Sequence, residues 1–241
     1  MQQRLPSLLD PPIAFAHRGA RAHAPDNTIE SFLLALRLGA TAVESDVWVT
    51  ADGVAVLDHD GVVRRGIRRT PISEMLRADL PEHVPTLDEL LDRCGADYDL
   101  SLDVCTTDAY GPLVDVLRRR PEVDRSRVWL CDPVVDNLIE RRDELHDMRL
   151  VHSARLSKLS VSPELHAARL RASGIDAVNM HQTDWNGGLV VLFHRFEVLA
   201  FSWDLQFEYA LENAFRMGID AVYSDHTDTM VDVLSKETGS R

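Results

Sequence analysis

The pentapeptide Gly-Ile-Asp-Ala-Val occurs twice, at Gly174 and at Gly218, and looser versions begin at Gly39 and Gly95. Each copy puts a helix-ending glycine just before an apolar run, which is the junction between a helix and the strand that follows it. Between these junctions, strand-like and helix-like patterns alternate along the chain. Strand patterns cover residues 13–16, 41–49, 98–105, 127–131, 148–151, 175–180, 198–203 and 221–224. Helical spacing covers residues 27–38, 86–93, 112–119, 134–145, 163–172, 189–193, 207–217 and 230–236. Asp26 reads as the N-cap of the first helix, and Thr86 with Glu89 as a capping box.

Eight strands alternating with helices in 241 residues predict a single α/β domain, a (β/α)8 TIM barrel over residues 1–241. A short insertion follows strand 2. It contains a short extension, residues 54–57, after the Asp52-Gly53 turn and a less regular stretch, residues 60–85, with Arg64, Arg65, Arg68 and Arg69. A doubly wound open sheet is the second choice. It gathers strands one, two, three, seven and eight less easily, and chemistry-bearing residues end just those strands: His17, Glu44 and Asp46, Asp103, Trp203, Asp225. In a barrel these ends share one mouth.

Glu44 and Asp46 point the same way because strand side chains alternate. Two carboxylates on one face of a mostly apolar run are costly without a cation between them. Oxygen-only ligands suit Mg²⁺ or Ca²⁺. His17 and His59 each close an apolar run and exchange protons near neutral pH. Arg18 has the fork geometry that grips a phosphate. This is the equipment of metal-assisted phosphodiester hydrolysis. The other histidines weighed, His23, His83, His146 and His166, read as structural or surface residues.

The formal charge of −13 argues against non-specific nucleic-acid binding and against a polybasic membrane anchor. No run is long enough to span a bilayer, so no membrane insertion is expected. Residues 1–12 lack the apolar core of a signal peptide. Cys94, Cys105 and Cys131 are odd in number and lack metal-site spacing, which suits a reducing compartment. These features predict a cytoplasmic protein. They do not set its oligomeric state.

His17-Arg18-Gly19, Pro25-Asp26-Asn27-Thr28, Glu44-Ser45-Asp46-Val47, Thr50-Ala51-Asp52-Gly53 and His59-Asp60 follow one another within residues 17–60. In this order they resemble the glycerophosphodiester phosphodiesterase family, although the family usually has Glu-Asn-Thr where this chain has Asp26-Asn27-Thr28. The resemblance implies a small-molecule glycerophosphodiester substrate, cleaved to sn-glycerol 3-phosphate and an alcohol. It implies that Glu44, Asp46 and Asp103 bind a divalent cation, with Asp103 at a position where the family usually has glutamate. It makes His17 and His59 the catalytic acid and base, without saying which is which or whether the nucleophile is water or the substrate's own hydroxyl. Trp203 matches a tryptophan that can stack on the alcohol, and Trp185 and His181 are weaker candidates for the same wall.

One position departs from the pattern. Two residues past the third acidic ligand the family usually has lysine, and here it is Cys105. Strand parity aims Cys105 at the site. Arg155 and Lys158, after strand five, are the candidates to replace the lost cation on the phosphate. Two other readings compete: an enzyme splitting lysophospholipids or phosphoinositides, and a non-catalytic phosphate- or phospholipid-binding relative.

Overall fold

The computed structural model describes residues 4–239, except for the side chain of Arg65; residues 1–3 of the lead-in segment and that one member of the arginine cluster lie outside the described residues. Eleven strands run in chain order: β1 (Ile13–Ala16), β2 (Ala42–Val49), β3 (Ala55–Leu57), β4 (Val62–Arg65), β5 (Arg68–Pro71), β6 (Asp99–Val104), β7 (Val128–Asp132), β8 (Arg149–Ala154), β9 (Ala177–His181), β10 (Leu199–Trp203) and β11 (Ala221–Ser224). The α-helices are α1 (Ile29–Arg37), α2 (Leu87–Cys94), α3 (Tyr110–Arg119), α4 (Val135–Arg141), α5 (Pro163–Ala172), α6 (Gly187–Arg195), α7 (Glu208–Arg216) and α8 (Thr227–Thr238).

Strands β1, β2, β6, β7, β8, β9, β10 and β11 pair in parallel in that order, and β1 pairs with both β2 and β11. The sheet therefore closes on itself as the expected (β/α)8 barrel. The outward faces of the strands and the inward faces of the helices make the main apolar shell, with Phe32, Leu90, Leu113, Leu170 and Phe215 among its buried side chains. Inside the barrel, Phe15 stacks on Tyr223 at 4.8 Å between ring centres, and Trp129 packs against Phe201 at 5.1 Å. These rings, with Val151 and Cys131, fill the lumen. The barrel is thus plugged beneath its C-terminal mouth, and polar chemistry is confined to the layer above the plug.

The repeated pentapeptide has a structural explanation. Asp176 accepts a hydrogen bond from the Leu150 N–H through Oδ2 (2.9 Å), and Asp220 accepts from the Ala200 N–H through Oδ2 (2.7 Å). Each aspartate ties the start of its own strand to the neighbouring strand at the bottom of the barrel, where it satisfies a backbone donor.

Three expectations need correction. The cap of α1 is Thr28, whose hydroxyl accepts from Ser31 N, and not Asp26, which stays at the rim. Strand five extends three residues further than its apolar run, so that β8 includes His152 and Ser153. Residues 60–85 are not irregular throughout: β4 and β5 form an antiparallel hairpin. It is anchored by a small separate core of Val56, Val63, Ile72, Met75, Leu80 and Val84, packed with Trp48. The two segments read Val-Val-Arg-Arg and Arg-Arg-Thr-Pro, without the apolar–polar alternation that signals a strand. The insertion turns at Gly61 (φ 66°), where a Cβ would lie 2.5–2.7 Å from Trp48 ring atoms, so glycine alone lets the chain cross the indole and deliver His59 to the mouth.

Candidate active site

His17 directly follows β1, and its backbone N–H is held by Ser224 O at 3.0 Å. Its Nδ1 lies 2.6 Å from Asp225 Oδ1, and its Nε2 lies 3.8 Å from Glu44 Oε2. Because the aspartate accepts at Nδ1, the ring keeps its Nδ1 proton and turns Nε2 toward the cavity. The next residues reverse the chain sharply. Arg18 and Gly19 both have positive φ, 55° and 78°, and a Cβ on Gly19 would meet Ser31 C at 2.7 Å and Phe32 N at 2.9 Å. Arg18 N donates to Glu44 Oε2 at 2.9 Å, and Ser31 Oγ donates to Arg18 O at 3.0 Å. The left-handed backbone is thus held from both sides, at a site where such strain fixes side-chain direction.

Glu44 and Asp46 project from β2 on one face, and Asp103 projects from β6, in register with Asp46. One carboxylate oxygen from each lies within 4.8 Å of the other two. Burial first, and then Asp46 and Asp103, push the Glu44 carboxyl well above its ordinary range. Burial and then Asp46 raise Asp103 to about 7. Arg18 offers incomplete relief. Its Nε is 3.2 Å from Asp46 Oδ2, yet that buried N–H has no well-angled acceptor among the described residues. A triad that repels itself, is half-neutralised by one guanidinium, and consists only of oxygen donors suits a hard divalent cation. Asn27 orients it. Its Nδ2 donates to Asp46 Oδ2 at 3.1 Å while its Oδ1 accepts from Ser45 at 2.6 Å, and Asn27 itself sits at φ 52°.

His17, Arg18, Glu44, Asp46, His59, Asp103, Arg155, Lys158 and Trp203 all line one cavity of about 540 Å³ at the C-terminal mouth. His59 enters from the insertion; it is half-exposed, and its Nδ1 is 3.0 Å from Asp60 Oδ1. The two candidate cations after β8 differ. Arg155 is already engaged, with Nε 2.6 Å from Asp184 Oδ2 and its guanidinium over the Trp203 ring at 5.8 Å. The Lys158 ammonium makes no hydrogen bond or ion pair among the described residues, and only its backbone N–H is engaged, with Arg155 O at 2.9 Å. Cys105 sits against the acidic triad rather than in the open cavity, and burial followed by Asp46, Asp103 and Glu44 raises its thiol far out of the thiolate range. Trp185 packs in the apolar shell behind the barrel, away from the cavity, and His181 is tied to Asp204 at 3.0 Å.

A model of the glycerophosphoryl diester phosphodiesterase family matches residues 17–229. The chain belongs to this family. Its members are phosphoric diester hydrolases, and that is the enzyme class of this chain. A glycerophosphodiester phosphodiesterase of Caldanaerobacter subterraneus is 22% identical over 258 residues, covering 93% of this chain and 98% of that protein. Human glycerophosphodiester phosphodiesterase 1 is 37% identical over 98 residues, 34% of this chain, and the match spans only 30% of the human protein's length. Among solved structures, an Oleispira antarctica phosphodiesterase in complex with the product sn-glycerol-3-phosphate superposes with a TM-score of 0.81 at 20% identity, over 93% of this chain and 97% of that one. A glycerophosphodiester phosphodiesterase of Thermotoga maritima superposes with a TM-score of 0.79 at 20% identity, over 92% and 97% of the two chains. Both carry the same barrel.

Within the family frame, the sequence reading missed the groups that hold the proposed site residues in place. In sequence Asp225 is only a strand end, yet it fixes the tautomer of His17. Asn27 is only part of a motif there, yet it orients Asp46. Ser153 and Asn179 also line the cavity, and Ser153 Oγ and Asn179 Oδ1 are buried with no hydrogen-bond partner among the described residues. The signal for both is strand parity, since both sit on lumen-facing positions; for Asn179 it lies within the run 175–180, whereas for Ser153 it requires knowing where β8 ends.

Proposed function

We propose that this chain hydrolyses glycerophosphodiesters to sn-glycerol 3-phosphate and an alcohol, that it does so with a divalent cation held by Glu44, Asp46 and Asp103, and that it acts as a single catalytic domain in the cytoplasm. One observation carries the reading: His17 Nε2, His59, Arg18 and three crowded carboxylates face one cavity. Mg²⁺ and Ca²⁺ both suit the all-oxygen donor set. When bound there, the cation supplies positive charge against the phosphoryl group.

The chain's own residues do the rest. Arg18 aims its guanidinium across the mouth beside Asp46 and takes up a phosphoryl oxygen. Lys158, the unpaired cation on the opposite wall, holds another, in place of the lysine that Cys105 displaces. A charge-assisted hydrogen bond of that kind contributes about 1.5–3 kcal/mol. Asp225 keeps His17 in the tautomer whose Nε2 accepts, so His17 takes the proton of the attacking hydroxyl. His59 stands at the open side, where the alcohol departs, and protonates the leaving oxygen. Trp203, Pro133 and Leu159 form the wall against which the alcohol moiety rests.

The test is release of glycerol 3-phosphate from glycerophosphocholine. His17→Ala and His59→Ala are each expected to lower turnover by about 10²-fold or more. A p-nitrophenyl phosphodiester, whose leaving group needs no acid, should restore His59→Ala much more than His17→Ala. Unchanged turnover in both variants defeats the reading, and equal rescue of both defeats the assignment of roles.

A further inference from the structure

A second group of metal-ligand side chains lies on the shoulder of the same mouth. His23 lies in the loop after β1, while His226 is the N-cap residue of α8 and Asp228 lies in its first turn. One donor atom from each lies within 4.8 Å of the other two. His23 Nε2 is 3.1 Å from Asp228 Oδ1. The His23 and His226 rings meet edge-on with centres 6.4 Å apart. None of the three takes part in the chemistry proposed above.

The backbone holds these donors in place. Ala22 N donates to Asp225 O at 3.1 Å, which locks the loop carrying His23 to the strand end carrying His226. His23 N and Ala24 N both return to Ala20 O, at 2.8 and 3.0 Å, so the loop is a closed turn. On the other side, His226 N donates to Ser224 Oγ at 3.2 Å and Met230 N to His226 O at 3.0 Å. Two segments far apart in sequence are therefore fixed against each other with three donors facing.

We infer that His23, His226 and Asp228 form a second cation site, distinct from the carboxylate triad and suited to Zn²⁺ or a similar transition-metal ion. Two imidazoles and one carboxylate are a zinc donor set, whereas a hard ion such as Mg²⁺ takes oxygen ligands. Tetrahedral zinc with bonds near 2.1 Å places its ligand atoms about 3.4 Å apart. The His23–Asp228 pair already meets that spacing. The third donor, His226, is exposed and closes the remaining gap by side-chain rotation, to which the partly exposed His23 and Asp228 can adjust. The imidazole nitrogen that now bonds the carboxylate becomes a ligand by moving its proton to the other ring nitrogen. The open fourth position faces solvent. An ion there would staple the β1–α1 loop to the head of α8, one residue from Asp225.

The experiment is calorimetric titration of the chelator-treated, full-length protein with ZnCl₂ in saturating MgCl₂, which keeps the carboxylate triad filled. The wild type is expected to bind one Zn²⁺ per chain by this site, and His23→Gln and His226→Gln are each expected to weaken that binding by more than about 10-fold. A hundredfold excess of Zn²⁺ over its Kd should raise the wild-type Tm by about 5–10 °C and leave the variants nearly unmoved. Asp103→Asn should keep the zinc response. Absence of Zn²⁺ binding in excess Mg²⁺, or equal affinity in wild type and both glutamine variants, overturns the inference. Should a variant fail to fold, X-ray absorption of the Zn²⁺-loaded wild type decides: two imidazole nitrogens in the first shell support the site, and an all-oxygen shell overturns it.

Discussion

Asp103→Asn reads the proposed role of the acidic triad through stability rather than through activity. In the metal-free protein, burial first and then Asp46 lift the Asp103 carboxyl from 3.8 to about 7. A raised carboxyl binds its proton more tightly in the folded state than in the unfolded chain. Its stabilising contribution is complete below pH 3.8 and is lost as pH rises through about 7. At 1.36 kcal/mol per pH unit, the span corresponds to on the order of 4 kcal/mol. For a domain of this size that is a Tm change on the order of 10 °C. Asparagine keeps the shape and cannot ionise. The comparison is therefore scanning calorimetry of wild type and Asp103→Asn in chelator, from about pH 4 to about pH 8. The wild-type Tm should fall relative to the variant across this range, and Mg²⁺ or Ca²⁺ should return it at high pH in the wild type more than in the variant. Parallel Tm curves for the two proteins, unmoved by either ion, refute the picture of a strained triad waiting for a cation.

Asp225→Asn frees His17 to adopt the wrong tautomer, so turnover should drop by at least about 10²-fold while the melting curve stays close to wild type; an unchanged rate removes Asp225 from the mechanism. Lys158→Ala should weaken hydrolysis by about ten- to a hundredfold, and Cys105→Lys in that background should restore much of the loss; additive effects in the double variant, or full activity in the alanine variant, mean that no substitute cation operates. Gly19→Ala should cost about 1–3 kcal/mol in denaturant unfolding, because a Cβ at φ 78° runs into the backbone of α1; wild-type stability would show that the turn yields more easily than its contacts imply.

The barrel was legible because its signals are local and repeated: an apolar run and a helical stripe eight times over, with a glycine stop at four of the junctions. That the nine proposed residues would share one cavity could be read from the sequence for a related reason. Strand ends are easy to find in such a pattern, and a barrel sends all of them to one mouth. What escaped depends on pairing across space. The β4–β5 hairpin is held by a small core that packs on Trp48 of another strand, a contact that periodicity does not signal. Asp225 reaches His17 across 208 positions. Arg155, equal to Lys158 on paper, is separated from it only by Asp184, which arrives from the next βα unit.

The repeated and unrepeated motifs divide along the barrel axis. The aspartates of the two Gly-Ile-Asp-Ala-Val copies both stitch neighbouring strands at the bottom, so repetition there reports a structural task that each βα unit faces alike. The motifs that occur once, His17-Arg18-Gly19 and Glu44-Ser45-Asp46, lie at the mouth and bring strain and uncompensated charge: positive φ at Arg18 and Asn27, and carboxyls driven above their normal range. Packing alone gives no reason for three carboxylates to crowd there, and the main chain that holds Glu44 does so through an N–H in a disfavoured conformation. The energy lost at the mouth is offset by the regular shell and plugged lumen below it, which is the arrangement expected when a scaffold is built by repetition and its chemistry by exception.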